Sequence, residues 1–300
     1  MFAVTILGNN SALPAHERHP TAQVVTIDDR LLLIDCGEGT QMQMSRYKIK
    51  RSKISHIFIS HLHGDHYYGL IGLLTSYSLQ NRETPLHIYA PPGLEKIIQL
   101  QLDIVHAILP YELVFHCITC EEMLVDEEKF SVSCFHVQHR VPCYGFIVTE
   151  KKKPRKLDLK TIEAYSIPVS FYNNLSMGED YVTSNGEVIK NELLTKPHAL
   201  PKKYAYCADT KFYPPMAKIV QGAELLYHEA TYLDNLRERA IERFHSTSVQ
   251  AAEFAKLSDV KKLLIGHFSS KYEVLEDFLT ETVPIFPLTE IATEGVTFII

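Results

Sequence analysis

Residues 54–66 read ISHIFISHLHGDH. An apolar run of Ile54, Ile57, Phe58 and Ile59 passes directly into His61, His63, Asp65 and His66, with Gly64 permitting a tight turn. That order predicts a buried strand that ends in a metal-binding loop. Imidazole nitrogens and a carboxylate suit zinc, and four such donors within six positions exceed what one four-coordinate ion takes from so short a loop. The spacing therefore predicts two adjacent ions. The competing reading is a solvated polar loop, but a His-x-His-x-Asp-His run straight after a hydrophobic strand is a more specific pattern than that.

On the N-terminal side, residues 4–7, 22–27 and 31–35 are rich in Val, Ile and Leu and are separated by turn residues, which predicts an opening β-meander. The third segment runs LLLID into Cys36, Gly37, Glu38, Gly39 and Thr40. Two glycines so close allow a tight backbone approach, and Asp35 lands at a strand end, as a turn cap or as a working carboxylate. On the C-terminal side, GLIGLLTSYSL predicts a helix, LHIYA at 86–90 a strand, and LEKIIQLQL after Pro92 and Gly93 a second, amphipathic helix. Residues 112–120 and 130–148 return to strand character. Two β-rich halves flanked by helices predict an α/β fold of the αββα sandwich type rather than an open doubly wound sheet.

The bulk properties set outer limits. A chain of 300 residues with 46% hydrophobic content can bury a large core, and one domain with an insertion is expected. The net charge of -6 excludes a surface coated in positive charge, so any nucleic-acid contact must come from a local basic patch. No stretch approaches the roughly 18 consecutive apolar residues of a membrane span, and MFAVTILGNN lacks a basic n-region and cleavage site. A soluble, cytoplasmic protein without membrane attachment is expected. The six cysteines (36, 117, 120, 134, 143 and 207) are expected to be reduced, buried thiols, the Cys117–Cys120 pair lacking the second pair of a zinc ribbon.

Composition changes at residue 150. EKKKPRKLDLK packs Lys151, Lys152, Lys153, Arg155, Lys156 and Lys160 around Pro154, and the chain stays polar and weakly periodic to about 203. Roughly fifty residues is long for a structureless loop inside a compact domain, which favours a functional protrusion over a linker. Beyond it, three more strand ends carry candidate ligands: His139 after VSCF, Asp209 after YAYC, and His267 after KKLLIG. Ligands from several strand ends are what a sheet-edge site requires. Asp209 alone would read as a turn residue; its weight comes from a carboxylate's ability to bridge two cations. His136, three residues before His139, is read as a core or surface histidine. LLYHEATY places Glu229 at a strand end, and FHSTSVQAAEFAKL places His245 just before a helix N-cap at Ser246 or Thr247.

Taken in order, DCGEGTQ (35–41), HLHGDH (61–66), His139, ADT (208–210), HEAT (228–231), HST (245–247) and GHFSSKY (266–272) resemble the ribonuclease Z family of the metallo-β-lactamase superfamily. The resemblance spans nearly the whole chain. It implies a single metallo-β-lactamase domain over 1–300, with residues 150–203 inserted as a protruding substrate-binding arm. It implies two Zn²⁺ per subunit, with Mn²⁺ or another divalent ion as the alternative occupant. The first is held by His61, His63 and His139, the second by Asp65, His66 and His267, and Asp209 bridges them. Catalytic roles fall to Asp65 as proton acceptor and to His245, oriented by Glu229, at the leaving oxygen. Lys151, Lys152, Lys153, Arg155 and Lys156 become substrate-binding candidates.

The implied partners are precursor tRNA and a second subunit in a homodimer. The implied reaction is removal of the 3′ trailer, leaving a 3′-hydroxyl on the tRNA and a 5′-phosphate on the trailer. A phosphodiesterase or other small-ester hydrolase of the same fold is the alternative. The chain departs from the family at IPVSFYNN, where the arm usually carries a Gly-Pro pair, and at PAHERHP, where His16 and His19 replace Lys and Asn.

Overall fold

The computed structural model describes residues 1–151 and 154–300, which form two compact units, Met1–Thr149 with Lys203–Ile300, and Glu150–Lys202. In the larger unit the chain opens with strands β1 (Phe2–Gly8), β2 (Ala22–Ile27) and β3 (Arg30–Ile34). They are followed by β4 (Ile54–Phe58), β5 (Leu86–Ala90) and β6 (Leu113–Cys117). The next three strands are β7 (Met123–Asp126), β8 (Phe130–His136) and β9 (Tyr144–Glu150). The smaller unit holds four two-residue strands, β10 (Lys156–Leu157), β11 (Tyr181–Val182), β12 (Val188–Ile189) and β13 (Thr195–Lys196). The larger unit resumes with β14 (Lys203–Cys207), β15 (Leu225–Glu229), β16 (Leu263–Gly266), β17 (Thr289–Ile291) and β18 (Thr297–Ile299).

Two seven-stranded sheets result, ordered β18-β1-β2-β3-β4-β5-β6 and β17-β16-β15-β14-β9-β8-β7. Their facing sides share one core, in which Val4, Ile6, Leu32, Ile34 and Phe58 of the first sheet meet Phe146, Tyr206 and Tyr227 of the second. The outer side of the first sheet is covered by the helices Leu70–Leu79 and Leu94–Ile104. Leu70, Leu73, Leu74 and Tyr77 recur at helical spacing and are all buried. Each such side chain contributes about 1.5–3 kcal/mol of hydrophobic stabilisation. The helix Ser248–Leu257 covers the other sheet through Ala251, Ala252, Phe254 and Ala255. The architecture is thus the predicted αββα sandwich. It also explains why β1, FAVTILG, is buried at every position: a strand covered on both faces has no need of alternation.

The topology fixes where the strand ends gather. β3 to β6 run parallel, as do β14 to β17. The loop after β4 and the residues after β14, β15 and β16 therefore emerge at C-terminal edges, where α/β sheets place their sites. β9 is antiparallel to β14, with Phe146 opposite Tyr206, so the 137–143 turn that precedes β9 lies at that same edge.

The smaller unit enters the larger at a hairpin position, because Thr149 and Lys203 are directly opposed in the β9–β14 ladder. It is more ordered than its weak periodicity implies: Ile162, Ile167, Leu175, Ile189 and Leu194 make a small core of their own. Asn191, buried among them, donates to the carbonyls of Leu175 and Glu179 and accepts from Thr195, which ties its turns together. The helix Tyr172–Met177 ends on Gly178 in the left-handed conformation.

The cysteine expectation needs correcting. All six are free, but only Cys36, Cys134, Cys143 and Cys207 are buried; Cys117 and Cys120 are exposed. They sit at and just beyond the end of β6, the edge strand of its sheet, where no further strand pairs.

Candidate metal centre

Every histidine and carboxylate of the predicted ligand set converges on one place. His61, His63, His139 and Asp209 offer ligand atoms all within 4.8 Å of one another, as do Asp65, His66 and His267. His63 Nδ1 lies 2.9 Å from His61 Nε2 and 3.3 Å from His139 Nε2, while His66 Nε2 and His267 Nε2 are 3.3 Å apart. Asp209 stands between the two groups. Its Oδ2 is 3.5 Å from His61 Nε2 and 4.0 Å from His139 Nε2, and its Oδ1 is 3.3 Å from His66 Nε2 and 3.2 Å from His267 Nε2.

These residues fit a pair of divalent ions. Asp209 is buried, yet its Oδ1 accepts no hydrogen bond among the described residues, an orphan that protein interiors rarely tolerate. Burial, together with the neighbouring imidazoles, pulls the pKa of His61 well below its ordinary value and that of His63 down to about 4. His139 is lowered by burial as well. Neutral imidazole is the metal-binding form. At His66 burial acts downward, but Asp209, Asp35 and Asp65 outweigh it and raise the pKa well above the usual range. Three carboxylates converging on one ring mark a place that favours positive charge.

The ligands are aimed from behind. His66 Nδ1 is 2.8 Å from Asp35, His61 Nδ1 3.1 Å from the Ser60 hydroxyl, His139 Nδ1 3.0 Å from the Phe244 carbonyl, and His267 Nδ1 2.9 Å from the Thr231 hydroxyl. In these four rings Nδ1 is occupied and Nε2 is left for the centre, whereas His63 turns its Nδ1 to it. Asp35 is thereby decided: it is a buried orienting carboxylate, with Tyr206 and Ser60 also donating to it. Sequence reading passed over Ser60, Tyr206 and Phe244. For Ser60 and Tyr206 the available signal is a hydroxyl beside a ligand or inside an otherwise apolar strand; Phe244 acts through its backbone carbonyl and carries none. Asp35 and His267 both adopt left-handed backbone, φ 57 and 60. Such conformations cost non-glycine residues about 1–3 kcal/mol and concentrate at functional sites.

Gly37 accounts for part of the DCGEGT pattern. A Cβ there would lie 2.4 Å from the Asp65 carbonyl oxygen, so only glycine lets this loop approach the metal loop. The Asp65 side chain is held from another side by the Ala12 amide, which donates to Oδ2 at 2.7 Å.

Next to the cluster, His245 Nδ1 is 2.8 Å from Glu229 Oε1, and the His245 ring lies 5.4 Å from those of both His139 and His267. Glu229 is fully buried and receives the amides of Thr210 and Thr231 and the Thr231 hydroxyl. Burial works against the His245 imidazolium, but the Glu229 charge prevails and lifts its pKa to about 9. Thr247, two residues on, caps the helix Ser248–Leu257 in a capping box with Gln250, which fixes the chain at His245.

The remaining candidates lie elsewhere. His136, the last residue of β8, is exposed and packs its ring against Tyr144. Of the basic run, Lys152 and Lys153 lie outside the described residues. Lys156 is exposed, Lys151 is half-buried, and Arg155 is half-buried with Nε donating to Thr195. No helix among the described residues is long and apolar enough to cross a membrane.

Fold and site together define a metal-dependent hydrolase of the metallo-β-lactamase fold. Residues 2–153 match the family model described as "Anti-Pycsar protein Apyc1", a span that includes the metal loop but stops short of Asp209, Glu229, His245 and His267. Whole-length relatives reach all of them. The chain is 42% identical over 296 residues to the ribonuclease Z of Bacteroides fragilis, covering 98% of this chain and 97% of that one. Against the ribonuclease Z of Parabacteroides distasonis it is 43% identical with the same coverage. Among solved structures, the short form of human tRNase Z superposes with a TM-score of 0.72 at 29% identity, covering 99% of this chain and 98% of that one. The metallo-β-lactamase fold protein YhfI of Bacillus subtilis shares the fold, with a TM-score of 0.70 at 18% identity over 99% and 98% of the two chains. The chain belongs to the ribonuclease Z family.

Proposed function

We propose that this protein is a zinc-dependent endoribonuclease that cuts the 3′ trailer from precursor tRNA, leaving a 3′-hydroxyl on the tRNA and a 5′-phosphate on the trailer. The observation that carries this reading is Asp209, whose two oxygens face two separate groups of ligands while the Glu229–His245 pair stands alongside. Two Zn²⁺ per chain fit the donors, one on His61, His63 and His139, the other on Asp65, His66 and His267, with Asp209 shared. When bound, such ions lower the pKa of water and neutralise phosphate charge.

The side chains would do the rest. Asp65, steadied by the Ala12 amide, accepts the proton of the attacking water. With His245 Nδ1 committed to Glu229, Nε2 is the nitrogen left to deliver a proton to the departing 3′ oxygen. The inserted unit, residues 150–203 with its basic run, is read as the arm that holds the tRNA through its phosphates, an interaction that positions a folded RNA without reading its sequence. A cytoplasmic homodimer completes the reading, taken from the family resemblance and open to test by sedimentation.

The decisive experiment incubates purified protein with a precursor tRNA bearing a 3′ trailer and maps the cut and its end groups. A cut at the trailer junction with the stated ends, abolished by a chelator and restored by Zn²⁺, is the expected result. Cleavage of a small phosphodiester without any action on precursor tRNA would move the assignment to a small-ester hydrolase.

A further inference from the structure

Three histidines outside the Asp209 centre share one face of the first sheet, on the adjacent parallel strands β4, β5 and β6. His56 is opposite His87 in the ladder, and the His87 ring lies 5.2 Å from that of His56 and 5.3 Å from that of His116. His87 Nδ1 and His116 Nε2 are 3.0 Å apart. That is the same approach as between the ligand nitrogens of the main centre, at 2.9 and 3.3 Å. His116 is further fixed by face-to-face stacking on Tyr89, at 4.2 Å between centroids.

His87 and His116 are half-buried, so a small solute can reach them. Burial and the neighbouring histidines hold His56 down to about 4 and lower His116, which favours the neutral form in those two rings. In the metal-free chain one of these two nitrogens donates its hydrogen to the other.

We propose that His87 and His116 form a third metal site, separate from the Asp209 centre, that takes a divalent d-block cation such as Zn²⁺ or Ni²⁺. All the donors are nitrogens, which disfavours Mg²⁺ and Ca²⁺. His87 Nδ1 and His116 Nε2 each donate a lone pair; the hydrogen between them moves to the other nitrogen of its ring, and water completes the coordination.

The test is equilibrium dialysis of the full chain against Zn²⁺ and, separately, Ni²⁺, comparing wild type with His87→Gln and His116→Gln. Each variant should hold one ion fewer per chain than wild type and should cleave precursor tRNA at the wild-type rate. Equal ion counts in wild type and both variants overturn the site. A measurement on wild type alone guards against misfolded variants: Cu²⁺ added after the Asp209 centre has been filled with Zn²⁺ should give an electron paramagnetic resonance spectrum split by imidazole nitrogens. A spectrum of oxygen-ligated copper refutes the proposal.

Discussion

Asp35→Asn keeps the shape of a fully buried side chain and removes its charge. Oδ1 of Asp35 accepts from the Ser60 amide at 2.8 Å, and Oδ2 accepts from the Ser60 hydroxyl at 2.9 Å, the Tyr206 hydroxyl at 2.6 Å and His66 Nδ1 at 2.8 Å. Asparagine has one acceptor oxygen. In either orientation its amide nitrogen faces a buried donor, in the better one the Ser60 amide, and a single unsatisfied buried donor costs about 1–3 kcal/mol. The His66 ring also loses the anionic partner that aims Nε2 at the centre. Losing an orienting carboxylate behind a ligating histidine weakens metal binding by about 10–100-fold. Denaturant unfolding and chelator competition read the two effects separately. The midpoint should fall, and one of the two ions of the Asp209 centre should be surrendered at lower chelator concentration. A variant with wild-type stability that releases both ions at wild-type chelator concentrations would show that Asp35 does not orient His66.

Asp209→Ala should abolish activity and lose most of one ion, since neither group of ligands can replace the shared carboxylate; elemental analysis finding as many ions as in wild type would contradict the bridge. His245→Ala should lower single-turnover cleavage by about 10²–10⁴-fold with metal content intact, the usual contribution of a positioned acid. Glu229→Gln should shift the alkaline limb of the pH–rate profile to lower pH. The reason is that Glu229 is what holds His245 protonated up to about 9, and burial alone pulls the other way; an unmoved limb would remove His245 from the proton transfer. Replacing 150–202 by a short Gly/Ser turn is geometrically undemanding because Thr149 and Lys203 are already opposed. The shortened protein should keep its ions and its activity on a small phosphodiester but bind precursor tRNA more weakly. The slope of log K against log salt should become shallower by roughly 0.7–0.9 for every phosphate that the inserted unit neutralises in the intact protein. An unchanged slope would leave that unit without a role in binding.

Much of this protein is determined within short stretches of sequence. An apolar run followed by His-x-His-x-Asp-His specifies strand and metal loop together, because the ligands follow one another on a single turn. The segment GLIGLLTSYSL reads as the helix found at Leu70–Leu79, and the succession of strand and helix segments is enough for two covered sheets. His139, Asp209 and His267 were legible one at a time as polar residues ending apolar strands. What the sequence could not hold was every pairing across the sandwich. Asp35 reads as either a turn cap or a working carboxylate until the packing of one sheet on the other brings Tyr206, 171 positions away, against it. Tyr206 itself reads as core aromatic, since which face a strand residue takes depends on register. The exposed Cys117 and Cys120 depended on β6 being an edge, and the stacked His56, His87 and His116 on three strands lying side by side. Local periodicity is written in neighbours along the chain, whereas the partners that aim, ionise and accompany a ligand come from strand order and sheet packing, which only the folded chain fixes.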